Sequence, residues 1–196
     1  MERQKNKEIV IRPATPDDAA ALLKIYAPYV TDTAITFEYE IPSVEEFQRR
    51  IREIHARYPY LLASKDEKIV GYCYARAFGE RAAYARSAET VLYIDREYRG
   101  HGIGSLLYRR LEEVLKRQNV LNLYACIAKA DGEDPYLTDA SPAFHAARGY
   151  REIGYFTKCG YKFGRWYDMI WMEKFIGIHD EKPEPFRSVS EIGDIL

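Results

Sequence analysis

The sequence predicts an α/β fold in which helices flank one mixed β-sheet. Three observations carry this expectation. Strand-like runs rich in β-branched and aromatic residues alternate with helical stretches in the order β-α-α-β-β-β-α-β-α-β-β. Helix-opening residues stand ahead of the helical stretches. Residues 89–115 (E-T-V-L-Y-I-D-R-E-Y-R-G-H-G-I-G-S-L-L-Y-R-R-L-E-E-V-L) join a strand, a glycine-rich turn and a helix without interruption.

Taken in order, residues 8–14 (E-I-V-I-R-P-A) read as a first strand. Thr15 offers an N-cap, Pro16 suits the first helical position, and Asp17 and Asp18 put acid in the first turn. A helix is expected from there to about Tyr29. Residues 33–39 form a connection with strand character. Ser43-Val44-Glu45-Glu46 is a capping box that opens a second helix to about Arg57. A hairpin follows, with strands at 60–64 and 69–76 and its turn at 65–68, and then a polar loop at 78–87. Residues 90–94 are the central strand. Behind it, Leu107, Leu111, Val114 and Leu115 keep the i, i+4, i+7, i+8 spacing of an amphipathic helix. Residues 121–128 make another strand, and 129–140, with several acids, Gly132 and Pro135, a loop. Ser141-Pro142 starts a short helix ending near Gly149. Residues 152–156 and 166–175 close the sheet. The tail, residues 177–196, is polar and carries two prolines; it is either a loose extension or docked on a neighbour. With no repeat or linker, one domain is expected over 1–196, with its core at 8–176.

Composition narrows the partners. A net charge of −1 gives no general attraction for nucleic acid or an anionic membrane, so a small molecule is expected. The start, M-E-R-Q-K-N-K-E, is charged and lacks the apolar core of a signal peptide, and no stretch approaches the ~18 apolar residues of a membrane span. Cys73, Cys126 and Cys159 are odd in number and scattered without metal-ligand spacing. They read as free thiols in a cytoplasmic protein that holds no metal.

The turn at Arg99-Gly100-His101-Gly102-Ile103-Gly104, followed by Ser105, carries the chemistry. Glycines let a backbone approach a ligand closely, the first helical amides have no carbonyl partner, and the helix dipole is positive there. A phosphate suits that end, and Arg99 adds a full charge. A P-loop needs a Lys after its second glycine, which is missing. A dinucleotide fingerprint starting at Gly100 would need a third glycine where Ser105 stands. What fits is [R/Q]-x-x-G-x-[G/A] after an aromatic-rich strand, and this resembles the coenzyme A pyrophosphate loop of the GNAT acyltransferase superfamily.

The resemblance covers roughly residues 8–176. It implies the GNAT fold, a mixed and mostly antiparallel sheet in which strands 90–94 and 121–128 run parallel and splay apart to admit the pantetheine arm. Within the superfamily, the chain is similar to the phosphinothricin acetyltransferase-like branch at Ile35-Thr36-Phe37-Glu38, Tyr58-Pro59-Tyr60-Leu61, Ala88-Glu89, Ser141-Pro142-Ala143-Phe144-His145 with Gly149-Tyr150, and the stretch Gly160-Tyr161-Lys162-Phe163-Gly164-Arg165-Trp166-Tyr167-Asp168. Members acetylate the amino group of small amino-acid-like molecules with acetyl-CoA. The resemblance therefore implies acetyl-CoA on Arg99 to Ser105 and on the strand backbone of Leu92, Tyr93 and Ile94. It also places the acceptor among Phe37, Tyr74, Arg81, Tyr84 and Trp166, with Arg81 gripping a carboxylate or phosphonate. A homodimer is the expected assembly.

Acetyl transfer to an amine needs a base, because the amine arrives as an ammonium. Glu89, at the start of the central strand, matches the family's glutamate for that role; read without the resemblance it is a solvated charge at a strand edge. His145 matches a catalytic histidine, as an acid for the departing thiolate or as a partner that orients Glu89. Backbone N–H groups around 92–94 suit the oxyanion. Two departures touch the acceptor side. Phe163 and Tyr167 stand where the family often has histidines, and the loop before Ser141 is longer. The competing expectation is a GNAT-fold sensor that holds coenzyme A without turnover.

Overall fold

Seven strands form one sheet in this computed structural model, which describes residues 8–195; the charged start at 1–7 and residue 196 lie outside the described residues. The strands are β1 (Val10–Pro13), β2 (Tyr60–Lys65), β3 (Lys68–Ala77), β4 (Ser87–Ile94), β5 (Asn122–Lys129), β6 (Arg151–Lys162) and β7 (Arg165–Phe175). The helices are α1 (Ala19–Asp32), α2 (Val44–His55), α3 (Ile103–Arg117), α4 (Ala140–Ala146) and α5 (Val189–Ile192). Sheet order is β1-β2-β3-β4-β5-β7-β6. Every neighbouring pair is antiparallel except β4 and β5.

Both faces of the sheet are covered, so β2 and β3 are buried in unbroken runs instead of alternating. On one face, Leu107, Leu111, Val114 and Leu115 of α3 pack on Leu61, Ala63, Cys73 and Leu123. On the other, Leu22, Ile25 and Tyr26 of α1 and Phe47 and Ile51 of α2 cover Tyr60, Leu62 and Tyr72. Successive strand residues thus feed opposite cores, as a period of two requires.

Several elements differ from their sequence expectation, each for a local reason. The chain at 33–39 forms no strand: the Thr33 and Thr36 hydroxyls bond the local backbone, and buried Lys162 donates to the Thr33 and Thr36 carbonyls at 2.9 and 2.7 Å. The capping box at Ser43 is half made. Ser43 accepts from the Glu46 amide at 3.1 Å, but the Glu46 carboxylate turns to Arg49 and Arg50. The β2–β3 turn is only Asp66-Glu67, both at positive φ (54° and 66°), as a two-residue hairpin turn demands. β6 runs on to Lys162, past a bulge where Lys158 takes φ 50° and its amide donates to Asp168 at 2.6 Å.

The tail lies on its own chain. Pro183 and Glu184 carbonyls accept from Arg86, the Pro185 carbonyl from Asn119, and the Arg187 carbonyl from Gln118. Val189, Ile192 and Ile195 enter the core beside α3. Neither alternative expected for the tail is built: it docks on its own domain, because the polar residues carry an apolar i, i+3, i+6 row that α3 can bury.

Candidate active site

The sheet forks at its centre. The β4–β5 ladder has three pairs, Ser87 with Asn122, Ala88 with Leu123 and Glu89 with Tyr124. Beyond them β4 stays paired with β3 as far as Ile94, while β5 stays with β7 as far as Lys129. A cavity of about 620 Å³ opens in the fork, walled by Thr90 to Tyr93 on one side and Ala125 to Ala128 on the other. Divergence leaves edge amides of β4 without strand partners. The Asp95 amide donates to Val70 on β3, whereas the Ile94 amide points the other way and donates to the Tyr29 hydroxyl at 3.2 Å. By strand alternation the Leu92 amide shares the Ile94 side and faces the fork.

Helix α3 begins beside this wall. Gly102 is its N-cap at φ 78°, with Gly100 at φ 79°, both in the left-handed region that glycine tolerates. Gly104 is needed for a close approach: a Cβ there would lie 3.0 Å from Leu92 and 3.3 Å from the Phe144 ring. The missing side chain lets the first turn of α3 lie against β4. Arg99 sits over the Tyr29 ring at 4.9 Å, and Arg148 donates to the Ser105 hydroxyl. Charge, unpaired helical amides and a bare backbone suit this turn to an anion.

At the closed end of the fork stands Glu89, 8% exposed. Its carboxylate accepts two bonds from Arg76, the residue opposite it on β3, at 3.0 Å from Nε and 2.6 Å from Nη2. Cys126 lines the same space from β5. Desolvation first, then the charge of Glu89, pushes its thiol up to about 12.

His145, at the end of α4, is buried and reaches the cavity from the α3 side. Its Nδ1 lies 2.8 Å from the Ser141 carbonyl, which only accepts, so Nδ1 carries the proton. Nε2 is then an acceptor for the Tyr108 hydroxyl at 3.0 Å. Burial lowers the imidazole below its usual 6.5 and keeps it neutral, against a smaller opposing pull from the Ser141 bond. Thr90 continues the network, donating to the Tyr124 carbonyl at 3.1 Å and contacting the Tyr150 hydroxyl at 3.1 Å.

The family model for the acetyltransferase (GNAT) domain matches residues 11–171, from within β1 to within β7. The chain belongs to that family. It is an acyltransferase of the GNAT fold. A phosphinothricin N-acetyltransferase of Streptomyces coelicolor is 33% identical over 171 residues, covering 85% of this chain and 96% of that protein. An L-methionine sulfoximine/L-methionine sulfone acetyltransferase of Salmonella typhimurium is 25% identical, with 87% and 96% covered. Among solved structures, the GNAT superfamily phosphinothricin acetyltransferase of Sinorhizobium meliloti in complex with AcCoA superposes with a TM-score of 0.81 at 30% identity, covering 90% of this chain and 93% of that one.

Within this GNAT domain the residues singled out from sequence fall into three groups. Glu89, His145, Leu92, Tyr93, Phe37 and Tyr74 line the cavity. Ile94 and the turn from Arg99 to Ser105 lie beside it along β4 and α3. Arg81, Tyr84 and Trp166 are not in its lining. Arg81 is exposed ahead of a short turn, Tyr84 packs edge-on against Phe78 at 5.7 Å, and Trp166 is 61% exposed against Tyr161. His145 is bonded to Tyr108 and Ser141 and not to Glu89.

The sequence reading missed Arg76, Tyr108, Thr90 and Lys162. Tyr108 lies in the apolar stripe of α3 and reads as core. Arg76 ends a strand and reads as solvated, and only the β3–β4 register puts it opposite Glu89. The two departures from the family pattern prove to be one feature. Phe163 stacks on Tyr136 at 4.2 Å, and buried Tyr167 donates to Asp134 at 3.2 Å, so both receive the loop at 129–140. Among the described residues, no helix is long and apolar enough to cross a membrane, and no group of three His, Cys, Asp or Glu is placed to hold a metal ion.

Proposed function

We propose that the protein, acting as one domain, transfers the acetyl group of acetyl-CoA to the amino group of a small amino-acid-like acceptor of the phosphinothricin, methionine sulfone or methionine sulfoximine type. The observation that carries this reading is the fork of β4 and β5, with Glu89 on its last closed pair. Acetyl-CoA supplies the reactive thioester. Arg99, the amides of Gly100 to Gly104 and Ser105 hold its pyrophosphate, and the edge amides of β4 run beside its arm. The Leu92 N–H faces the oxyanion, which costs no reorganisation because the strand already aims it. Glu89 takes the proton from the acceptor ammonium so that nitrogen can attack. His145 and Tyr108 form the polar contact at the α3 wall, where the thiolate departs. A coenzyme A thiolate is a fair leaving group, so the effect of His145 is the smaller one.

The relatives named above support this reading, and nothing favours a sensor that binds coenzyme A without turnover. The test is release of free coenzyme A across a panel of amino acids that includes phosphinothricin, methionine sulfone and methionine sulfoximine. Amine-dependent release is expected. Tight acetyl-CoA binding with no release for any amine would leave the sensor.

The same reading places the protein in the cytoplasm as a homodimer. Supporting the dimer, edge strand β6 exposes Ile153, Tyr155, Phe156 and Tyr161, with Trp166 and Phe175 beside them on β7. Sedimentation at several concentrations should show a dimer. A monomer throughout would remove it.

A further inference from the structure

Arg76 presents one hydrogen-bonding edge to Glu89 and has another to spare. A guanidinium carries five N–H donors in a planar fork, enough for two carboxylates on two edges. Glu89 occupies the edge made by Nε and Nη2. The edge made by Nη1 and the second Nη2 hydrogen has no partner among the described residues. The Arg76 side chain is 53% exposed, against 11% for Glu89, and both line the cavity.

We infer that Arg76 receives the α-carboxylate of the acceptor on this free edge while Glu89 receives its ammonium, so that Arg76 is the residue that selects acceptors with a free α-carboxylate. The inference rests on Glu89 as the proton acceptor proposed above. One carbon separates the amine and the carboxylate of an α-amino acid, so the two groups that receive them must be neighbours. Arg76 and Glu89 are cross-strand partners in contact. The other cations in the cavity lining are committed elsewhere. Arg49 is shared between Glu46 and Glu53, and Arg50 is held between Glu46 and Glu38, where a third carboxylate would be repelled. Arg81, the residue the resemblance offered for this grip, is outside the lining.

The ion pair is thus a template for a zwitterion, cation to anion and anion to cation. An amine without an α-carboxylate, or the N-terminus of a peptide, whose neighbouring carbonyl is an amide, offers Arg76 no anion.

The test compares L-methionine sulfone with its α-amide in the parent enzyme and in the Arg76→Met and Arg76→Lys variants, reading coenzyme A release. Acetyl-CoA affinity by calorimetry serves as the check on folding. The parent should prefer the acid by about 10²-fold in kcat/KM, the scale of one charge-assisted bond pair. Arg76→Met should bring the two acceptors to within about threefold, chiefly by raising KM for the acid, with Arg76→Lys between. If Arg76→Met slows both acceptors equally and the preference persists, Arg76 serves only to hold Glu89 and the inference fails. A parent that acetylates both acceptors alike also overturns it, while leaving the N-acetyltransferase reading intact. A parent that acetylates neither overturns both. If Arg76→Met does not fold, the parent and Arg76→Lys ratios decide.

Discussion

The two ends of the cavity are built by different means. The end that opens toward the start of α3 adjoins a local feature: Arg99, Gly100, Gly102, Gly104 and Ser105 are neighbours in sequence, and the anion site proposed there is mostly backbone. At the other end nothing is local. Arg76 comes from β3, Glu89 from β4, Cys126 from β5, and the wall at Thr36 and Phe37 is held by Lys162 of β6. A backbone site fails when the backbone is filled or bent. A side-chain site fails when one functional group is deleted, and it loosens when a distant strut is removed.

This contrast separates the expected effects by ligand. The largest belongs to Glu89→Gln, which should lower kcat/KM for the acceptor by ~10²–10⁴-fold at neutral pH and leave acetyl-CoA affinity unchanged. The loss should shrink as pH rises and more amine arrives deprotonated. Near-parent activity at pH 7 would move the base away from Glu89. Next is Gly102→Asp, which strains a φ of 78° and sets negative charge at the helix start. Acetyl-CoA should bind about tenfold more weakly or worse by calorimetry. Unchanged affinity in a folded variant would break the assignment of that end.

A smaller effect is expected from Lys162→Met. The carbonyls of Thr33 and Thr36 lose their donor, the Phe37 wall loosens, and KM for the acceptor should rise about three- to tenfold. Acetyl-CoA affinity should hold, and a loss of affinity for both ligands would show that the two ends are not independent. The smallest effect concerns stability. The folded His145 imidazole lies below its usual 6.5, so the unfolded chain binds more protons as pH falls. Its contribution is complete above about pH 6.5 and is lost as pH drops through the folded value. Tm should therefore fall between pH 7.5 and 5.5, and less steeply in His145→Gln. An identical slope in that variant would assign the loss to other groups.

The sequence by itself determined what depends on neighbours in the chain. Helix starts at Ser43 and Gly102, the stripe of Leu107, Leu111, Val114 and Leu115, and the glycine turn that marks the GNAT family all follow from local backbone preferences and a 3.6-residue period. They need no partner to be recognised. The tertiary structure decided whatever required two distant segments to meet. Residues 157–162 carry Lys158 and Gly160 in a bulge without alternation and become strand only because β7 pairs with them. The tail becomes part of the core only because α3 offers Val189 and Ile192 a surface. Arg76 is an ordinary strand-end charge until the β3–β4 register sets it against Glu89, and Tyr108 is an ordinary core ring until α4 brings His145 to its hydroxyl. Hydrogen bonds and ion pairs act over about 3 Å, so a polar side chain has no assigned role until folding supplies its partner at that distance.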